Sequence, residues 1–117
     1  MDNFIDEDMR LAIKKGAIWM DENHPGWEYI VDPDTLAMDE CESCIIGQVC
    51  METGYWDTIA KAEGSGYISD SVNWARENGF DAPEHIYQER EEDSFFGYFA
   101  DMERVWTEEV KSRLGGN

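Results

Sequence analysis

Cys41-Glu42-Ser43-Cys44 forms a CxxC, and Cys50 follows six residues further on. A zinc ion takes four tetrahedral ligands, and the fourth would have to be His24 or His85, the two histidines of the chain. A second CxxC or a His pair is missing. A CxxC can also lower a thiol pKa and support redox chemistry, but the βαβ context of that motif is absent. Cys44 and Cys50 lie near Ile45, Ile46 and Val49, and free cysteine is among the most buried residue types. Buried structural thiols are therefore the favoured reading. A metal or redox module on Cys41, Cys44 and Cys50 is the alternative. Three cysteines at this spacing do not suggest a secreted disulfide framework.

The carboxylates are the second group that could do chemistry. The chain has 27 Asp and Glu against 9 Lys and Arg, a net charge of −18. Direct nucleic-acid binding is disfavoured, because it neutralises phosphates with Lys and Arg. Anionic membrane surfaces repel such a chain for the same reason. Between Lys15 and Lys61 there is no Lys or Arg, while Asp21, Glu22, Glu28, Asp32, Asp34, Asp39, Glu40, Glu42, Glu52 and Asp57 fall there. A second cluster is Glu84, Glu89, Glu91, Glu92 and Asp93, relieved by Arg90; a third is Asp101, Glu103, Glu108 and Glu109. Unrelieved like charge costs folding free energy, and solubility alone needs a net charge of about 2–8 in magnitude. A solvated face or adaptation to salt would account for the excess, and so would recognition of a basic surface. A duplex carries one negative charge per ~1.7 Å of axis, a density that carboxylates on a scaffold can approach in a Lys/Arg-lined groove.

The expected partner-binding residues are Glu28, Asp32, Asp34, Asp39, Glu40 and Glu42, with Glu89, Glu91, Glu92 and Asp93 as a second patch. Trp27, Tyr29, Tyr55 and Trp56 border the first acidic region and are candidate aromatic anchors. No catalytic residue, cofactor or metal is assigned. Carboxylate pairs for acid/base work can be picked almost anywhere here, so each is uninformative. P-loop, dinucleotide, HExxH and nucleophile-elbow motifs are missing. Asp32-Pro33-Asp34 begins like an EF-hand loop, but Ala37 stands at the sixth position and Ser43 at the twelfth. His24, beside Pro25-Gly26, reads as a turn residue rather than a general base.

The elements that must position these groups are helices. Ile5, Met9, Ala12, Ile13, Gly16, Ala17 and Met20 recur at helical spacing and predict a helix from Asn3 to about Asn23, capped by Asp2 or Asn3. Gly16 on that stripe predicts a close crossing. His24-Pro25-Gly26 ends the helix, and Trp27 to Val31 follows as an extended or irregular segment. Asp32-Pro33-Asp34 is a turn or helix start, with Leu36 and Met38 pointing into the core. A second helix is expected from Ser43 to about Thr53, with Cys44, Ile45 and Val49 inward and Gln48 a further candidate for that face. Tyr55 to Glu63 is a short helix or a loop. Ser69 or Asp70 caps a helix reaching Asn78, with Gly79 left-handed behind it and Phe80 packing back. Ser94 caps the last helix, whose stripe is Tyr98, Met102, Val105, Trp106, Val110 and Leu114. Trp106, Trp19 and Trp74 are expected in the core.

At 117 residues the chain fits one domain. It is expected to be mainly α, a compact single-domain bundle of about four to five helices with irregular connections. No apolar run reaches the ~20 residues of a membrane span. The segment from Met1 to Asp8 lacks the basic region of a secretory signal, so a cytoplasmic protein is the simplest reading.

Several segments resemble small uncharacterised proteins of actinobacterial phages. They are the block from Trp19 through His24-Pro25-Gly26 to Trp27, then Leu36 and Met38, then Cys41 through Cys44 to Gln48. Gly79-Phe80 and the Tyr98 to Trp106 helix match less specifically. The resemblance carries no activity and no site residue. It implies a small protein expressed inside an infected bacterium; a non-enzymatic interaction protein is the expectation drawn from the charge. Small acidic phage proteins often look like inhibitors of host nucleic-acid-binding proteins, including restriction and CRISPR effectors. The expected partner is thus the basic groove of such a protein, bound by imitation of DNA or RNA. A structural or assembly protein using exposed aromatics is a further alternative.

Overall fold

A computed structural model describes residues 4–88 and 92–115. Among these, seven helices follow one another: α1 (Glu7–Asn23), α2 (Trp27–Ile30), α3 (Ile45–Val49), α4 (Tyr55–Glu63), α5 (Ile68–Glu77), α6 (Glu84–Gln88) and α7 (Glu92–Arg113). The chain is mainly α, as its periodicity predicts, with more and shorter helices than expected. α1 packs along α7 and α4 against α5; α2 and α6 also rest on α7, and α3 bridges α2 and α4. The radius of gyration is 13.6 Å, close to the ~13 Å of a compact domain of this size.

Met9, Ile13, Gly16, Ala17 and Met20 are the buried face of α1, the stripe read from the sequence. Asp6 caps this helix, its carboxylate accepting the Met9 N–H at 2.8 Å. Phe4 lies ahead of the cap: its N–H donates to Asp101 of α7 at 2.9 Å, and its ring meets Tyr98. A tertiary contact has thus taken residues that the sequence placed in the first turn.

Gly16 is where α1 crosses the end of α5. A Cβ there would stand 2.0 Å from the Asn78 carbonyl oxygen. Gly79 follows with φ of 73°, which a side chain rarely tolerates. Its carbonyl accepts the Trp106 indole N–H at 2.7 Å. The chain turns there so that Phe80 stacks on Trp106 (5.2 Å, 21°) and on Trp74 (5.7 Å, 16°). Trp19 closes the row edge-on against Trp74. Such ring contacts each add about 0.5–1.5 kcal/mol beyond the area they bury, so this aromatic row is the organising core.

Several boundaries differ from expectation. Trp27 to Ile30 is one helical turn, entered from Gly26 in a left-handed conformation. The second expected helix is confined to Ile45–Val49, because Cys44 has taken the capping position. Tyr55–Glu63 is helical. α5 starts at Ile68, with Tyr67 rather than Ser69 or Asp70 preceding it. Ser94 lies inside α7, not at its start. Leu114, beyond the last turn of α7, is exposed rather than part of the stripe.

Candidate functional site

The acidic region between α2 and α3 is held at both ends by one side chain. The Gln48 amide oxygen accepts the Asp32 N–H at 2.7 Å. Its Nε2 donates to the carbonyls of Asp32 (3.3 Å) and Ser43 (2.9 Å). Asp32 also accepts the Asp34 N–H at 3.0 Å, a side-chain turn typical of Asp. Val31, Leu36 and Met38 anchor the segment in the core. α3 approaches it so closely that a Cβ on Gly47 would stand 2.0 Å from the Cys41 carbonyl oxygen. The polar residues between these anchors therefore turn outward: Asp32, Asp34, Asp39, Glu40 and Glu42 are all exposed.

The ion pairs among the described residues engage Asp21, Asp81, Asp101, Glu108 and Glu109. None engages a carboxylate of residues 32–42. Arg10 and Lys14 of α1 pair with Glu108 and Glu109 of α7. Arg113 grips Asp21 with two hydrogen bonds of 2.8 Å each, which holds the Asp21 carboxyl below its usual range. Glu108 and Glu109 of the third acidic cluster thus hold α1 to α7, Asp101 binds the Phe4 N–H and Arg104, and Glu103 reaches the segment. Its Oε2 accepts the Met38 N–H at 2.9 Å. Burial, and then repulsion from Asp39 and Glu40, push its pKa up. Arg104 and Lys111 line a groove with Pro33 and Leu36 of the same segment, beside Glu103 and Glu108.

Five of the expected partner-binding carboxylates are thus exposed on this one segment. Glu28 is corrected: it is half-buried in α2, with Oε1 shut off from solvent and unpartnered among the described residues. Glu89 and Glu91 lie outside the described residues. Glu92 and Asp93 begin α7, and their side chains lie outside the described set.

The aromatic anchors divide two and two. Tyr29 is 77% exposed and Trp56 51%. Trp27 and Tyr55 are core residues, contrary to expectation. As the first residue of α2, Trp27 turns under Trp106 (5.9 Å, 88°). Asp21 accepts its indole N–H at 2.9 Å, and Arg113 covers its ring at 5.5 Å. Tyr55 directs its hydroxyl inward to the Phe80 carbonyl at 3.4 Å. Sequence proximity to acidic residues could not distinguish these pairs, because the outcome depends on which residue starts each helix.

The three cysteines are used separately. Cys44 caps α3, its sulfur accepting the Gly47 N–H at 3.3 Å, and burial pushes its thiol up to about 11. Cys50 is buried beside His24, at 3.6 Å from Nε2, and burial raises its pKa also. Cys41 is exposed, so the expected burial holds for two of the three. Among the described residues no group of three or more His, Cys, Asp or Glu side chains is placed to hold a metal ion. Nor is any helix there long and apolar enough to cross a membrane.

No protein-family model, curated protein or solved structure matches this chain.

Proposed function

We propose that the protein is a non-enzymatic interaction protein whose 32–42 segment occupies a cationic groove in place of nucleic-acid phosphates. The observation that carries this reading is the run of five exposed carboxylates along one short segment. Arg10 and Lys14 of α1 and Arg104 and Arg113 of α7 are engaged with other carboxylates, while Asp32, Asp34, Asp39, Glu40 and Glu42 stand exposed without an ion pair among the described residues. Keeping such charges together costs stability, and a groove lined by Arg and Lys recovers that cost through charge-assisted contacts. Tyr29 and Trp56 supply exposed rings of the kind that anchor interfaces. The resemblance to phage proteins points to a host defence effector as the owner of the groove.

The test is capture from a bacterial lysate followed by competition. A partner of the proposed kind is released by a short DNA or RNA duplex. It is not retained by a variant carrying Asp32→Asn, Asp34→Asn, Asp39→Asn, Glu40→Gln and Glu42→Gln. A partner that ignores competing nucleic acid, or that binds the neutralised variant equally well, contradicts the reading.

A further inference from the structure

We propose that a second site, the cavity beneath Trp56 and Tyr87, binds an uncharged planar heteroaromatic molecule that presents an amide edge. The cavity measures about 310 Å³ and is walled by the rings of Tyr55, Trp56, Phe80, Tyr87 and Phe99. That volume lies at the lower end of the ~300–1,000 Å³ usual for small-molecule sites. Trp56 and Tyr87, both about half-exposed, stand at its rim, and Trp56 meets Tyr55 edge-on at 5.1 Å. Walls of this kind select a flat ring.

Two polar groups at the wall give the ring its chemistry. The Arg76 guanidinium lies 5.7 Å over the Tyr87 ring. Its Nε stands 4.0 Å from Asp81 Oδ2, and is buried without a hydrogen-bond partner. Because Nε is closed off, an occupant meets the terminal Nη groups. Asp81 Oδ1 is already engaged, accepting the Ala82 N–H at 2.8 Å and the Tyr87 hydroxyl. Oδ2 faces only Arg76 among the described residues. A donor and an acceptor therefore lie side by side at an aromatic wall, the complement of a carbonyl next to an N–H.

Charge excludes the alternatives. Arg76 and Asp81 offset one another, while Asp39 at the lining and a net charge of −18 oppose an anion. A cation would have to displace Arg76 from Asp81. An uncharged amide satisfies both groups without either penalty.

Uracil and nicotinamide are suitable probes, read by the indole N–H of Trp56 and the Nε–H of Arg76 in NMR titrations. Saturable shifts of both signals are expected at about 1 mM, the affinity of ligands this small. 1,3-Dimethyluracil, which lacks the N–H, should bind at least about ten-fold more weakly, a loss the size of one hydrogen bond. Trp56→Ala, at an exposed position and read by the Arg76 signal, should abolish the shift while leaving the fold intact; Arg76→Lys, read by the Trp56 signal, should weaken binding. Absence of saturable binding by both amides overturns the proposal. So does tighter binding of benzamidinium than of uracil, which would assign the cavity to an arginine of a protein partner. Equal binding of dimethyluracil would remove the amide edge from the account.

Discussion

Glu103 of α7 accepts the backbone N–H of Met38 at 2.9 Å, and this bond fastens the acidic segment to the longest helix. The same carboxylate lies in the field of Asp39 and Glu40, so it is both a tether and a source of repulsion.

Replacing the charge while keeping the acceptor separates the two roles. Glu103→Gln retains an oxygen for Met38 and is expected to be at least as stable as the parent at neutral pH. Glu103→Ala strands the amide and should cost about 1–2 kcal/mol. Because the folded-state pKa of Glu103 is raised, the folded protein holds that proton more tightly than the unfolded chain. This contribution is complete below the unfolded value and is lost as pH rises through the folded one. The advantage of Glu103→Gln should therefore grow upward from about pH 4, and thermal melts across pH 4–8 measure it. A constant difference over that range contradicts the assignment.

Gln48 is expected to control the shape of the site without contributing charge. Gln48→Ala removes three hydrogen bonds, to the N–H and carbonyl of Asp32 and the carbonyl of Ser43. These are partly exposed, so the stability loss should be modest, about 1–2 kcal/mol. Hydrogen exchange at the amides of Asp32 and Ala37 should accelerate while α1 and α7 remain protected. Uniform acceleration would mean that Gln48 supports the whole fold instead.

Thiol chemistry should follow the separation of the cysteines. Cys41 is exposed, whereas Cys44 and Cys50 are buried with raised pKa values. Alkylation at neutral pH should modify Cys41 rapidly and the other two only after denaturant is added, as intact-mass spectrometry would count. Protection of Cys41 together with Cys44, reversed by a chelator, would instead reinstate the metal module.

The crossing of α1 over the end of α5 offers a packing test. Gly16→Ala drives a Cβ to within 2.0 Å of the Asn78 carbonyl, a backbone atom that cannot swing away. Urea denaturation should register a loss of about 3 kcal/mol or more, at the upper end of overpacking costs. A loss under about 1 kcal/mol, the ordinary range for tolerated swaps, would show that the helices do not meet there.

Much of this was legible in the chain because periodicity reports burial directly. The α1 stripe, the close approach at Gly16, the left-handed Gly79 and the return of Phe80 all follow from local chemistry. The exposure of Asp32, Asp34, Asp39, Glu40 and Glu42 was also readable, since Leu36 and Met38 are the apolar residues that anchor that stretch. What was not legible depended on partners distant in sequence. Trp27 borders the acidic region, yet Asp21 and Arg113 provide it with a buried place. Glu103 reads as one more charge on α7 until Met38 is brought to it. Gln48 carries no signature for clasping Asp32, 16 residues away. The cavity by Arg76 and Asp81 joins residues from α4, α5, α6 and α7, and no local pattern announces it.

The most direct measurement is the salt dependence of partner affinity for the parent, for the five-site neutralised segment and for a control. The control removes the same number of charges elsewhere, at the exposed residues Glu22, Glu52, Asp57, Asp70 and Glu77. If carboxylates of residues 32–42 replace phosphates, the segment variant loses both affinity and most of the salt slope, whereas the control keeps them. Equal losses in the two variants would show that net charge alone, and not this surface, attracts the partner.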